Sequence, residues 1–501
     1  MTAQLDRPVA PARADGFGRV LLAEWTKLRT VRGWLITLVA STGVIMLISW
    51  LVASGSFSGY DGPPIPIGPD KRPVQDQLHL VHRTLAGDGS ITALVSAPVR
   101  DSDGKAGPGW AKAGIIIKRA ATPGAAYTAL MLTPGNGTRL QTDFFTDRAG
   151  GLDAGAPRWL RLSRTGATVT AEESTDGTGW RRVGTAPAPS TGPVEIGLFV
   201  SSATDPDVNR SLGGTAVKVG FSLVRARFES VAVQPDSTDP WRTDDFGISP
   251  RRGDDTPAGT TDQQGSTFTL TGNGSVGPYV GDADLARMAL TGSLIGLIPL
   301  VTLGVLFITS EYRRDLIRTT FTAVPGRARV LAAKALVLGT AAFVAALAGC
   351  LAIFPLAVGR LRENGFEPPL QTIPSLGEPA VLRAVVGTAL LLALIAVLAL
   401  GVGTLLRRTA SAITAVLLVL LLPTLLLSGL PLRVAEAVTT FTPVAGFAVQ
   451  QTDVRYDFAP QPCLPEGGCY PLEPLPGLAV TAAWALGVLL LAAWSLRRRD
   501  A

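Results

Sequence analysis

Six runs of this chain contain no Asp, Glu, Lys or Arg: Trp34 to Ala53, Met288 to Ser310, Ala335 to Val358, Ala384 to Leu406, Ala410 to Leu432 and Leu475 to Leu496. Each is about the ~20 residues that a helix needs to cross ~30 Å of hydrocarbon. A central Lys, Arg or Asp costs roughly 2.5–3.5 kcal/mol on insertion scales, so a hydrocarbon environment, not a soluble core, accounts for six clean runs. The pattern predicts a polytopic α-helical membrane protein with six transmembrane helices. No signal-peptide cleavage site follows the first run, which is longer than a signal core, so the first span is expected to be retained.

A net charge of +6 would suit a nucleic-acid binder if the cations formed one soluble face. They lie instead beside the apolar runs. With the N-terminus inside, 17 Lys and Arg fall on the cytoplasmic side: six before the first span, six from Arg313 to Lys334, Arg407 and Arg408, and Arg497 to Arg499. The two short outer loops carry only Arg360, Arg362, Arg383, Arg433 and Arg455. The asymmetry predicts a plasma-membrane protein with both termini cytoplasmic, residues 54–285 outside, and no nucleic-acid partner. Pro299, Pro355 and Pro423 lie inside spans, where they kink a helix or end a half-helix.

The loop between the second and third spans, 311–334, reads EYRRDLIRTTFTAVPGRARVLAAK. A short helix is expected from Asp315 to Ala323, then a turn at Pro325-Gly326, with Arg327, Arg329 and Lys334 leading into the third span. This stretch resembles the first cytoplasmic loop of type-2 ABC (ATP-binding cassette) transporter permeases. In that family the loop carries a coupling helix that docks on a separate ATPase subunit. The resemblance implies that Leu316, Ile317, Arg318 and Phe321 face that partner. It also implies a second permease subunit, homo- or heterodimeric, and ATP and Mg bound on the ATPase rather than here. No phosphate loop of the Gly-x-x-x-x-Gly-Lys-Ser/Thr type occurs in the chain, which is expected to bind no cofactor of its own. Topology alone would also place arginines in such a loop.

Residues 1–15 are rich in Pro, Ala and Arg without an apolar period and read as a disordered cytoplasmic tail. From Phe17 to Arg32 the period is helical, with Phe17, Val20, Leu21, Trp25, Leu28 and Val31 on one side. A basic amphipathic helix before a span lies in the interface, with Trp25 at headgroup depth and Lys27 and Arg29 toward phosphates. LLAEWTKLRTVRGW also resembles the elbow helix of the same permease family. Glu24 breaks the pattern, because helical spacing puts it near the middle of the apolar side. An anion there needs a partner, expected from Arg313 to Lys334 or from a second protomer, unless it reaches water.

The insertion from Ser54 to Leu285 is composed like a soluble all-β domain. After a Gly/Pro-rich linker to Pro73 come short β-type runs: Ile91 to Val99, Ala113 to Lys118, Tyr127 to Leu132, Arg139 to Thr146, Arg158 to Arg164, Thr168 to Ser174, Val194 to Ser201 and Val217 to Val233. Turn residues between them, such as Asp176-Gly177, argue for a sandwich. GWAKAGIIIK, RWLRLSRTGATVTAEESTDGTGWRRVG and VEIGLFVSS resemble a concanavalin-A-like (laminin-G-like) jelly roll over roughly Asp76 to Pro235. That likeness implies a carbohydrate or other cell-envelope ligand, with no sugar-binding residue transferable. The polar tail from Asp236 to Asp284 is expected to add one strand, around Ser266 to Leu270. FTPVAGFAVQQ in the last outer loop reads as a re-entrant or interfacial helix.

Other constellations are sparse. His79 and His82 cannot make a metal site without further ligands and read as strand or surface residues. Asp101-Ser-Asp103-Gly104 and Asp205, Asp207 and Asn209 have the start of a calcium-loop spacing; the first lacks the closing glutamate and the second the glycine. Cys463 and Cys469 lie in an outer loop where a small disulfide can form, and Cys350 reads as a packing residue. No Ser/His/Asp or Cys/His set assembles, and the spans carry no acid of the kind that couples protons or sodium. The resemblance of the 311–334 loop and of the entry helix implies a non-enzymatic ABC permease subunit, an exporter. A membrane-anchored glycan-binding sensor or adhesion protein is the alternative.

Overall fold

A computed structural model describes residues 16–59, 64–152, 157–202, 205–211, 214–220, 222–236, 239–246, 259–279, 283–313, 326–459 and 463–498. The expected tail 1–15 and the short helix 315–323, with Leu316, Ile317, Arg318 and Phe321, lie outside these residues.

Six helices are long and apolar enough to cross a membrane: Arg32–Gly55, Leu285–Tyr312, Arg327–Glu363, Pro379–Leu406, Thr409–Gly429 and Pro474–Arg498. They correspond in order to the six uncharged runs, and we refer to them as the first to sixth spans. The third extends beyond its run at both ends, so Arg327, Arg329 and Lys334 are helical rather than part of a loop. The fourth span is the centre of the bundle, packing against the second, third, fifth and sixth. Small residues let it approach closely: a Cβ on Gly304 of the second span would sit 2.5 Å from the Ala396 carbonyl oxygen. The first, fifth and sixth spans are peripheral, with Val39, Leu425 and Leu490 at least 70% exposed.

The inserted region is a β-sandwich built from strands between residues 74 and 278. One sheet orders Arg181–Pro187, Thr168–Ser174, Arg158–Thr165, Gly89–Val95, Val224–Gln234, Thr267–Gly272 and Gly259–Gln264, with Val99–Arg100 beside Val224–Gln234. The facing sheet orders Arg242–Asp245, His79–Leu85, Val194–Ser201, Lys112–Lys118, Tyr127–Thr133, Gly137–Thr142 and Thr146–Ala149. Alternate residues meet between them, including Ile91, Ala93, Ile115, Ile117, Leu160, Leu162, Leu198 and Phe228, all buried. The tail contributes more than the one expected strand: Arg242–Asp245, Gly259–Gln264 and Val276–Pro278 also join sheets. The run Val217 to Val233 divides after Gly220. Gly214–Gly220 pairs with Asp205–Ser211 in a hairpin of its own, while Val224–Gln234 enters the sandwich.

The second sheet is also buried on the side away from the sandwich core. Leu80, Ile116, Tyr127, Met131, Phe144 and Phe199 form a further cluster, covered by a two-stranded ribbon of Val74–Asp76 and Val276–Pro278. That ribbon is where the chain enters and leaves the domain, so the sandwich rests on its own connections to the first and second spans. Under it lies a polar set. The Lys118 ammonium contacts Asp76 at 2.5 Å with both side chains fully buried, and the Gly124 amide donates to the same carboxylate at 2.7 Å. Lys112 donates to Gln141 at 3.2 Å and to the Val276 carbonyl, and the Tyr127 hydroxyl donates to Gln141 at 3.0 Å.

Burial pushes Lys112 down to about 8, with nearby Arg139 acting the same way and Asp147 opposing. Unfolded, the same lysine holds its proton to ~10.4. Between those values the unfolded chain binds more protons, so stability rises with pH. Thermal unfolding of the sandwich is therefore expected to move upward from pH about 8 to about 9.5, and Lys112→Met should flatten the rise. Equal pH slopes in the two proteins would contradict this account of Lys112.

Candidate functional site

The amphipathic helix Phe17–Thr30 turns Val20, Glu24 and Leu28 inward at helical spacing. Val20 packs on Val330 and Ala333 at the start of the third span. Trp25 is 44% exposed and Arg29 is exposed, on the side an interfacial helix turns outward. Glu24, the anion on the apolar side, is 2% exposed.

Its carboxylate is held from both sides. Lys334 Nζ lies 2.7 Å from Glu24 Oε2 and 2.7 Å from Glu311 Oε1. Lys27 Nζ lies 2.7 Å from Glu24 Oε1 and 3.1 Å from Glu311 Oε1. The four side chains thus form an alternating square of two cations and two anions. Lys334 is fully buried and its ammonium stands 4.8 Å from the Phe307 ring centre. Glu311 Oε2 is buried and has no hydrogen-bond partner among the described residues.

This square joins three elements: the amphipathic helix, the end of the second span and the start of the third. Neighbouring contacts widen the junction. Thr409 at the start of the fifth span bonds Thr309 at 2.9 Å, Arg407 stacks over Tyr312, and Arg327 donates to the Leu496 carbonyl of the sixth span at 2.9 Å. Glu311 and Lys334 are also the two ends of the 311–334 segment. The sequence flagged Glu24 as needing a cation; nothing in it separated Lys334 from the other basic residues nearby.

At the opposite end of the bundle, Pro443–Gln450 forms a 3-10 segment with all eight residues buried. It lies against the fourth and sixth spans. Glycines permit the fit: a Cβ on Gly387 would be 2.2 Å from Val449, and one on Gly477 would be 2.4 Å from the Ala445 carbonyl oxygen. Gln450 Nε2 donates to Ser293 at 2.8 Å and Thr388 at 3.2 Å, linking this segment to the second and fourth spans. A cavity of about 110 Å³ opens beside it, lined by Arg287, Thr291, Thr424, Leu427, Gln450 and Glu466 among others.

Cys463 and Cys469 are joined in a disulfide, and Cys350 is a buried free thiol. Asp205 and Asn209 pair with Gly220 and Ala216 across the strand hairpin, with Asp207 between them, so all three lie on a ladder rather than in a loop. Among the described residues no group of three or more His, Cys, Asp or Glu is placed to hold a metal ion. Both histidines are buried on a strand: His79 meets Asp245 and Thr261 at 2.6 Å, and His82 meets Glu195 at 2.6 Å and Asp244 at 2.7 Å. The carboxylates come from distant strands, which sequence spacing could not bring together.

No family model matches this chain, and no curated protein matches it. Among solved structures, it is similar to SCP-B, an eqolisin-family peptidase in complex with the tripeptide Ala-Ile-His, at 10% identity and a TM-score of 0.24, over 41% of this chain and 100% of that one. Scytalido-glutamic peptidase with a transition-state analogue gives 13% identity and a TM-score of 0.25 over 41% and 100%. A functionally unknown Saccharomyces cerevisiae protein gives 12% and 0.22 over 36% and 91%.

Removing the cation at the centre of the charge square leaves two buried carboxylates to share Lys27. Lys334→Met is expected to lower stability by about 3–5 kcal/mol, as for other broken buried pairs. The double variant Glu24→Gln/Lys334→Met should recover part of that loss. Denaturation of the detergent-solubilised protein reads both, and an unchanged Lys334→Met would contradict the assignment.

Proposed function

We propose that this chain is the membrane-spanning subunit of a type-2 ABC exporter, powered by ATP hydrolysis on a separate ATPase subunit that carries the ATP and Mg. The observation that carries this reading is the Lys334 ammonium bonded at once to Glu24 and Glu311. A partner pushing on the 311–334 segment would act on the two spans and the amphipathic helix as one body, because parting buried ions costs several kcal/mol. Docking falls to Leu316, Ile317, Arg318 and Phe321, within the segment whose ends the square clamps. ATP-driven closure of the ATPase subunits would then switch the bundle from inward- to outward-facing by rigid-body motion.

In this reading the spans lie in the plasma membrane with both termini cytoplasmic and residues 54–285 outside. The exposed apolar sides of the first, fifth and sixth spans meet lipid and a second permease subunit. The outer sandwich is a concanavalin-A-like jelly roll that takes a carbohydrate or other cell-envelope ligand. The buried segment Pro443–Gln450, held to the second and fourth spans through Gln450, is positioned to carry motion of the bundle to its outer end.

Affinity purification of the tagged chain from its native membrane in mild detergent is the test. A co-purifying subunit that hydrolyses ATP is expected, and Arg318→Glu or Phe321→Ala should reduce its recovery about tenfold without changing expression. Purification of the chain alone under several mild conditions would overturn the reading and favour the glycan-binding sensor or adhesion protein.

A further inference from the structure

We infer that Lys118 and Asp76 condense with each other, forming an intramolecular amide from Lys118 Nζ to Asp76 Cγ that staples the strand entering the sandwich to its second sheet. The bond needs no reagent from outside the chain and is independent of the transport reading.

The two groups are placed for it by the fold. Lys118 ends the strand Lys112–Lys118, fourth of the seven in its sheet, and Asp76 ends the ribbon strand Val74–Asp76 that covers the sheet's outer side. Nζ lies 2.5 Å from Asp76 Oδ2, and neither side chain has any exposure. Cγ is one carbon–oxygen bond beyond Oδ2, which brings Nζ near the ~3–3.5 Å at which positioned groups react. Lys118 also donates to the Ala125 carbonyl at 3.3 Å, and the Gly124 amide donates to Asp76 Oδ2 at 2.7 Å. The rings of Tyr127, Phe144 and Phe246 stand 5.6, 5.7 and 5.8 Å from the ammonium. Asp76 Oδ1 is buried and has no hydrogen-bond partner among the described residues. A pair kept only as an ion pair gains when both carboxylate oxygens are satisfied, and here one is left bare.

The chemistry balances within the pair. A proton passes from the ammonium to the carboxylate, giving a neutral amine and a carboxylic acid. Burial favours the acid form at Asp76, with the Lys118 charge and the Gly124 amide opposing. The amine lone pair then attacks Cγ, and the Gly124 amide holds Oδ2 as negative charge develops there. Oδ1 leaves as water, carrying the two protons that the nitrogen gives up, and the carbonyl re-forms at Oδ2. One N–C bond forms and one C–O bond breaks; nothing is oxidised or reduced. Two effects draw the step forward. Well-positioned groups react with effective molarities of ~10⁵–10⁸ M. The amide also replaces two buried charges by a neutral group and so removes their desolvation cost. Residues 42 apart in sequence are then joined covalently, and the strand that follows the first span stays tied to the sandwich when the fold opens.

Mass spectrometry of the full-length protein, purified folded and then denatured and reduced, is the test. The unaltered chain is expected to be lighter than its sequence by one water, and proteolysis should release a branched peptide that joins the Asp76 and Lys118 segments. Lys118→Arg, which keeps the cation without a primary amine, and Asp76→Ala should both carry the full mass and release two separate peptides. An unaltered chain at full mass, with Asp76 and Lys118 recovered in separate peptides, would overturn the assignment and leave a buried ion pair only. A water missing from Lys118→Arg as well would also contradict it. The decisive arm uses the unaltered sequence, so it holds even where a substitution unfolds the domain.

Discussion

A fully buried ammonium is tolerated only where anions meet it, and much of this structure follows from that constraint at Lys334. Its side chain has no exposure and two carboxylates at 2.7 Å. One comes from a helix some three hundred residues earlier and the other from the end of the preceding span. Neither anion could be buried alone without the desolvation cost of an unpaired charge. Each charge therefore fixes the position of the others. The amphipathic helix is set against the third span, and the loop closing the second and third spans is anchored at both ends.

The sandwich follows a similar rule with a different outcome. The face of its second sheet that lies outside the sandwich core carries aromatic and charged side chains, but it is buried under the ribbon formed by the domain's own entrance and exit. Lys118 and Asp76 pair there without exposure. Burial raises the Asp76 carboxyl, while the Lys118 charge and the Gly124 amide counter it. Holding such a pair costs desolvation, which the contact and the amide bond offset only when the geometry is kept. The outer face of this sheet is thereby closed by the domain's own entrance and exit strands.

The six spans were legible because absence of charge over twenty residues has few explanations. Glu24 was legible for the complementary reason: one charge on an apolar side stands out. Lys334 was not, because its neighbours Arg327 and Arg329 have the same composition and only helix phase places Lys334 against Glu311. In the sandwich, strands with apolar alternation, such as Arg158–Thr165 and Val194–Ser201, were visible. Gly259–Gln264 was not, since Thr260 to Gln264 are polar and sit at a sheet edge, where one side of the strand needs no burial. The break after Gly220 had two signals, the glycine itself and a slip in the apolar alternation between Leu223 and Val224. The ion pair of Arg210 and Glu466 joins residues 256 apart in sequence, and no local pattern announces it.

The central claim is that the charge square transmits force from an ATPase partner into the bundle. It is tested most directly by ATP hydrolysis in the purified complex when the central pair is reversed. If the claim is right, Lys334→Glu alone loses the hydrolysis that the membrane subunit stimulates, and Glu24→Lys/Lys334→Glu regains a large part of it while the ATPase stays bound throughout. Full stimulated hydrolysis in Lys334→Glu, with the partner still bound, would contradict it.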